Sequence, residues 1–264
     1  MKTNFSELLF EVKEHIATIT MNRPEKMNAM TLTMEDELKA AFKLCQDEED
    51  IRVLILTGTG RRGFSTGMDV SKLIDLEGKQ PALRSGQTVP TPPPASGVPR
   101  ALLSIVEKPV IAAINGACAG AGYCLALASD IRFGSENARF IHIYLRRALV
   151  GSGETWFLSR IIGLGAAMYH ILGADEISAE EALRLNLISR LVPADKLYDE
   201  TFAFAQRLAA MDPTAVKFTK KAIRKGLMLD FESATEWVGY ARRIANPSGA
   251  GLAAMEGFLA KKGT

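Results

Sequence analysis

An α/β fold with a largely parallel sheet, followed by a helical carboxy-terminal part, is what the sequence predicts, and three observations predict it. Short apolar runs bounded by turn residues alternate with longer stretches of helical periodicity, the strand, helix, strand, helix order that builds parallel sheets. Beyond about Ile177 helical periodicity takes over. Hydrophobic residues make up 47% of the 264 residues and charged ones 23%, which excludes a disordered or fibrous chain and leaves enough apolar side chains for a sizeable core.

The elements follow in order. Leu8 to Val12 and Ile16 to Met21 are strand-like runs separated by the charged Lys13 and Glu14, so they join tightly, and Asn22, Arg23 and Pro24 break the second. From Thr33 the apolar positions Met34, Leu38, Ala41, Phe42 and Cys45 recur at helical spacing until an acidic cluster ends the segment. Val53 to Thr57 reads as a buried strand, and strand-like runs return at Val110 to Ile114 and Ile131 to Phe133 with helical stretches between. Lys196 to Met211, Ala215 to Leu227 and Ala234 to Ile244 carry the periodicity of three helices. The expected division is therefore a core over residues 1–195 and a helical subdomain over 196–264. Gly78 to Arg100 contains QTVPTPPPASGVP, whose prolines lack amide donors and forbid a regular helix or central strand. A loop of this length is a lid, a binding loop or a disordered segment more often than a plain connection.

Charge and composition narrow the function. A net charge of +2 and no dense Lys/Arg stripe argue against a nucleic-acid surface. The three cysteines, Cys45, Cys118 and Cys124, have neither metal-ligand spacing nor the even count of a disulfide framework, and there are only three histidines. No structural metal and a reducing cytoplasm are expected. The amino terminus has charges scattered through it, unlike a signal peptide, and nowhere do about 18 apolar residues run uninterrupted. The protein is therefore expected to be soluble, with no membrane partner.

Gly58, Gly60 and Gly63 satisfy G-x-G-x-x-G after a strand, but a dinucleotide site needs a helix opening at the third glycine, and Gly63 is followed by the loop-like FSTG. A glycine-rich turn is the preferred reading. Three separated segments say more when taken together: NRPEKMNAM at Asn22 to Met30, GFSTGMDVSKL at Gly63 to Leu73, and KPVIAAINGACAGAGYCLALASDIRF at Lys108 to Phe133. In order and spacing they resemble the enoyl-CoA hydratase/isomerase (crotonase) family, and the likeness continues through Gly151 to Gly163 and into the final AMEGFLAKK.

That resemblance implies a crotonase-like spiral of repeated ββα units, with a helical carboxy-terminal trimerisation subdomain and a homotrimer or hexamer as the assembly. It implies an acyl-CoA substrate that brings its own coenzyme A, and no other cofactor. A thioester carbonyl that becomes an enolate develops negative charge on oxygen, which two fixed backbone N–H donors stabilise without reorganising. By resemblance those donors are the amides of Met68 and Ala121, with the helix that starts near Gly122 aiming its positive end at the same oxygen. Ala121 stands where the family usually has glycine. Asp69 is expected to cap the helix that follows it. The resemblance places Lys26 by a coenzyme A phosphate, which suits a compact ammonium, and Thr66, Met68 and Val70 along the coenzyme A moiety.

The likeness fails at the usual acids. The family's hydratases use two glutamates, and the matching positions here are Cys124 and Tyr144. A thiol hydrogen-bonds weakly and a phenol keeps its proton near neutrality. Ser152 stands where other members carry an aspartate. The nearby acid is Glu154, at the expected start of a helix. It is either an ordinary acidic residue in a first turn or, if it faces the cavity, a relocated base whose pKa apolar neighbours such as Trp156 and Phe157 would raise. His142 and Tyr144 share a face if their segment is extended, and either could donate a proton or hold a carboxylate. Cys124 reads as a packed, inert thiol. The leading function is an acyl-CoA enzyme that stabilises a thioester enolate, hydratase/isomerase-like. A decarboxylase or hydrolase of the same fold and a non-catalytic acyl-CoA-binding protein stay open.

Overall fold

The computed structural model describes residues 4–69, 97–245, 251, 255–257 and 259. Strands β1 (Leu8–Lys13) and β2 (Ile16–Met21) form a hairpin whose turn residues, Glu14 and His15, both have positive φ, 50° and 65°. That backbone twist matches the twist of the flanking strands. β2 lies parallel to β3 (Val53–Gly58) and is buried nearly throughout, whereas β1 is an edge strand with mostly exposed residues. Between β2 and β3 runs α1 (Leu32–Asp47), capped by Thr31, whose hydroxyl accepts the Met34 N–H at 3.0 Å. The α1 side chains that are buried are Met34, Leu38, Ala41, Phe42 and Cys45, the positions the periodicity picked out.

Two sheets follow from the next units. β5 (Val110–Ile114), β7 (Ile131–Ser135) and β10 (Arg190–Val192) complete a six-stranded sheet in the order β1-β2-β3-β5-β7-β10. β4 (Gly63–Ser65), β6 (Ala117–Ala119), β8 (Arg139–Ile141) and β9 (Ile177–Ser178) form a second, four-stranded sheet. β3, β5 and β7 of the first sheet each hand over to a short strand of the second, β4, β6 and β8, and after β6 the helix α3 (Gly120–Ala128) returns. This is the repeated ββα pattern that the resemblance implies. α2 (Val98–Ile105) packs against α1 and α3.

One reading of the sequence is corrected here, and two gain detail. Gly63 to Ser65 is a strand rather than a loop, because it pairs with β6; no helix opens at Gly63, so the dinucleotide motif is not realised. The region from Ile177 on is mostly helical, as expected, and the short β9 and β10 within it pair with β8 and β7. The helix expected from about Gly122 is present and begins at Gly120. The insertion at Gly78 to Arg100 lies, up to residue 96, outside the described residues.

Two buried asparagines lock the loops that carry the site. Asn115 donates through Nδ2 to the carbonyls of Gly58, Gly60 and Gly63 at 2.8, 2.7 and 3.0 Å. Asn28, at φ 56°, donates to the carbonyls of Gly63 and Thr59, and its own carbonyl accepts the Ser65 hydroxyl. Buried polar groups so fully paired hold their loops in one arrangement.

After α4 (Glu154–Ile161), α5 (Leu164–Gly173) and α6 (Ala179–Arg184), the carboxy-terminal helices are α7 (Leu197–Ala209), α8 (Pro213–Gly226) and α9 (Phe231–Ala245). α7 buries Leu197, Phe202, Ala205 and Ala209 against the back of the large sheet. α8 has no fully buried residue and is held by charge: Lys220 and Arg224 each meet Asp130 at 2.7 Å, and Lys217 and Lys221 pair with Glu107. Ile223, Leu227, Met228, Phe231, Tyr240 and Ile244 stay exposed, Phe231 at 85%.

Candidate functional site

The segment Thr66 to Asp69 runs against the start of α3, and glycines make the approach possible. Gly67 has φ +86°, and a Cβ there would lie 2.9 Å from both the Ala119 carbonyl oxygen and the Ala121 nitrogen. A Cβ on Gly122 would lie 2.4 Å from the Ser65 carbonyl oxygen. Met30 then closes a parallel bridge to Met68: its N–H donates to Gly67 O at 2.8 Å and its carbonyl accepts from Asp69 N–H at 2.9 Å. In such a bridge the N–H of Met68 itself points away from Met30, and it donates to no acceptor among the described residues. No side chain caps α3, since Ala119 has none to offer, so the first-turn amides, Ala121's among them, lack an intrahelical acceptor. Two unspent backbone donors and the positive end of a helix thus lie side by side.

A cleft of about 200 Å³ is lined by His142, Tyr144, Val150, Gly151, Glu154 and Ile171 among others, and Cys124, one turn beyond Ala121 on α3, ties Glu154 to the junction. Glu154 begins α4 (Glu154–Ile161) and is only 2% exposed. Its Oε2 accepts the Ser152 N–H at 3.0 Å and the Cys124 thiol at 3.4 Å. Oε1 lies beside Gly151, where a Cβ would come within 3.0 Å. Burial raises its pKa above the ordinary carboxylate value of 4.5, against the pull of the backbone and thiol hydrogen bonds. Glu154 is the one carboxylate among the described residues that line the cleft. Trp156, expected as an apolar neighbour, is 49% exposed, with the Arg160 guanidinium 4.2 Å from its ring centre. Phe157 lies near Gly153 instead.

His142 and Tyr144 both line the cleft, although β8 ends at Ile141 and Tyr144 is already in an αR turn. His142 is 4% exposed, with both ring nitrogens unpartnered among the described residues. Burial, then the charges of His170 and Arg146, lower its pKa to about 4, so the ring is neutral at pH 7. Burial, then Cys124 and Glu154, push the Tyr144 phenol up to about 12. The Cys124 thiol is also held at about 12, by burial and then by Glu154. Tyr144 and Cys124 keep their protons at neutral pH, so the groups here that can accept one are the Glu154 carboxylate and the neutral ring of His142.

The remaining expected residues lie elsewhere. Thr66 is half-buried, its N–H donating to Met27 O at 3.3 Å. Lys26 is exposed at the end of a 3₁₀ turn, Pro24–Lys26, on the loop fixed by Asn28. The carboxylate of Asp69 meets Arg23 at 3.4 Å, while the helix it was expected to cap, and Val70, lie outside the described residues. Asn28 and Asn115 were not singled out in the sequence; the Asn115-Gly116 turn signal could have marked the second. Among the described residues no group of His, Cys, Asp or Glu could hold a metal, and no helix is long and apolar enough to cross a membrane.

Known proteins share this architecture. A short-chain-enoyl-CoA hydratase of Clostridium acetobutylicum is 31% identical over 233 residues, covering 87% of this chain and 85% of the relative. An (E)-benzylidenesuccinyl-CoA hydratase of Thauera aromatica is 36% identical over 225 residues, 84% of each chain. The crystal structure of an enoyl-CoA hydratase/isomerase from Cupriavidus metallidurans CH34 superposes with a TM-score of 0.86 at 30% identity, covering 98% of this chain and 96% of that one. The enoyl-CoA hydratase/isomerase family model itself matches residues 11–237, and the chain belongs to that family of acyl-CoA enzymes.

Proposed function

We propose that the protein moves a proton at the α-carbon of an enoyl-CoA through a thioester enolate, with Glu154 as its single base, so that double-bond isomerisation is the reaction the site fits best. One observation carries this reading: Glu154, buried and with its pKa raised, is the one carboxylate among the described residues lining its cleft, and Cys124 ties it to α3 one turn beyond the Ala121 amide. The Met68 and Ala121 N–H groups would hold the thioester oxygen as charge develops on it. Glu154 would remove the α-proton of a 3-enoyl thioester and return it at the γ-carbon, which needs one base and no water. The neutral His142 and the protonated Tyr144 are donors that could steady the enolate or the acyl group. Hydration is the second reading, since two of the relatives above are named hydratases; it would need Glu154, with the Ser152 and Tyr144 hydroxyls, to hold a water. Incubation with 3-enoyl-CoA and 2-enoyl-CoA in heavy water separates the two. Isomer with deuterium at the transferred position supports the single-base reading, and 3-hydroxyacyl-CoA supports hydration. Loss of carbon dioxide from a malonyl-type thioester, or free coenzyme A, would point to decarboxylation or hydrolysis, and binding without turnover to a silent binder.

Lys26 is exposed, on a turn held by buried hydrogen bonds, and we assign it to a coenzyme A phosphate, with Thr66 and Val70 nearer the thioester end. Lys26→Ala is expected to weaken free coenzyme A binding about threefold to tenfold at low salt, and rising salt should erase the difference, as titration calorimetry would show. An unchanged Kd would return Lys26 to the ordinary surface.

The exposed apolar side chains of α8 and α9 support a homotrimer or hexamer built through these helices. A surface carrying Phe231, Met228, Leu227 and Ile244 together is more apolar than a monomer normally leaves in water. Light scattering at micromolar concentration should give at least three times the monomer mass, and a pure monomer would count against this assembly. Three free, buried thiols also suit a reducing cytoplasm.

A further inference from the structure

Cys124 does more than fill space. We infer that its thiol is a positioning residue for the base: it donates to Oε2 of Glu154 and, with the Ser152 amide, fixes that oxygen so that Oε1 is left for the substrate proton. The inference rests on Glu154 being the base.

The geometry assigns the donors to one oxygen. Sγ of Cys124 is 3.4 Å from Oε2, the Ser152 nitrogen is 3.0 Å from the same atom, and the Ser152 hydroxyl is 3.9 Å from Sγ. Oε1 borders Gly151, which lines the cleft and has no side chain to obstruct it. The direction of the bond follows from chemistry. An ionised carboxylate has no proton to give, whereas a thiol held at about 12 keeps its proton, so sulfur is the donor. Cys124 sits on α3, the helix whose first turn supplies the Ala121 amide, and it is 2% exposed. The base and the oxyanion donor are therefore referenced to one rigid element.

Size and charge restrict what else could stand there. A second carboxylate at about this separation could not ionise together with Glu154. An alanine would leave the carboxylate with backbone amides alone, its own and that of Ser152. Glu154 is faced by Cys124 and Tyr123 from α3, by Tyr144 from the turn after β8, and by Ser152 from its own loop, with His142 in the same cleft wall. None of these is a cation, so a donated hydrogen bond is what favours the charged carboxylate here.

The test is the acid limb of the pH–rate profile for α-proton exchange from an acyl-CoA into heavy water. Cys124→Ala should move that limb to higher pH by a threefold to tenfold change in proton affinity, because the carboxylate loses a donor. Cys124→Ser, with a stronger donor, should bring the limb back to the wild-type position or below it and retain most of the plateau rate. A limb that stays in place in both variants, whatever the plateau rate does, overturns the inference and leaves Cys124 as packing. If the alanine variant does not fold, the serine variant still decides, since an upward shift there contradicts donation. The two levels separate cleanly: Glu154→Gln with normal exchange removes Glu154 as base, while an inactive Glu154→Gln with an immobile limb in the Cys124 variants removes only the role given to the thiol.

Discussion

Glu154→Gln is expected to slow α-proton exchange by about 10²- to 10⁴-fold, the usual contribution of a positioned general base, while acyl-CoA binding stays nearly intact. The amide is the same shape as the acid, and its oxygen can still accept from the Ser152 N–H and the Cys124 thiol. Isotope exchange followed by mass spectrometry measures the loss, and a variant that exchanges at the wild-type rate would move the base elsewhere, with His142 the next group in the cleft. Stability should move the other way. Burial raises the folded-state pKa of Glu154 above its ordinary value of 4.5, so the folded state holds this proton more tightly than the unfolded chain does. The stabilisation from the protonated form is complete below the ordinary carboxylate range and is lost as pH rises through the raised pKa. Glutamine cannot ionise, so the variant should melt higher than the wild type at neutral and alkaline pH. That gap should close as the pH falls below about 4.5. Thermal melts across that window would show it, and a gap independent of pH would mean that the carboxylate is not desolvated as described.

Met68→Pro is expected to cost about 10²–10³ in rate, the size of effect seen when one oxyanion donor is removed. The substitution deletes an N–H that no described hydrogen bond uses, since the bridge to Met30 runs through the Gly67 carbonyl and the Asp69 amide. Gly67, at φ +86°, is also the residue type that best tolerates a following proline's restriction. The fold should therefore survive, which circular dichroism and an unchanged thermal midpoint would confirm. Gly67→Ala is the companion variant. Its Cβ would press on Ala119 O and Ala121 N at 2.9 Å in a backbone conformation that disfavours any side chain, so it should lower both rate and stability. Full exchange in a folded Met68→Pro would remove the Met68 amide from the mechanism and leave Ala121 with the helix end.

Much of the fold was legible because its signals are local. The α1 face of Met34, Leu38, Ala41, Phe42 and Cys45 repeats within a single helix, and the periodicity alone finds it. The long strands Ile16–Met21 and Val110–Ile114 coincide with the apolar runs. The second sheet escaped that reading: strands of two or three residues, such as Gly63–Ser65 and Ile177–Ser178, are too short to carry a period, and only pairing with distant strands makes them strands.

The sequence by itself determined the family, through the order of its glycine-rich blocks, and the resemblance pointed to the Met68 and Ala121 amides as the donors; the close approach of Gly67 to the start of α3 is what calls for glycine there. The sequence also showed that Cys124 and Tyr144 stand where two acids were expected. Which way Glu154 points was beyond it. A residue at a helix start faces water or core depending on what packs there, and that is decided by α3 lying against α4, which brings Cys124 to 3.4 Å from a carboxylate thirty residues away in the chain. Local pattern specifies elements, and the environment of a side chain is set by contacts between elements far apart in sequence, so the chemistry of the base belongs to the tertiary structure.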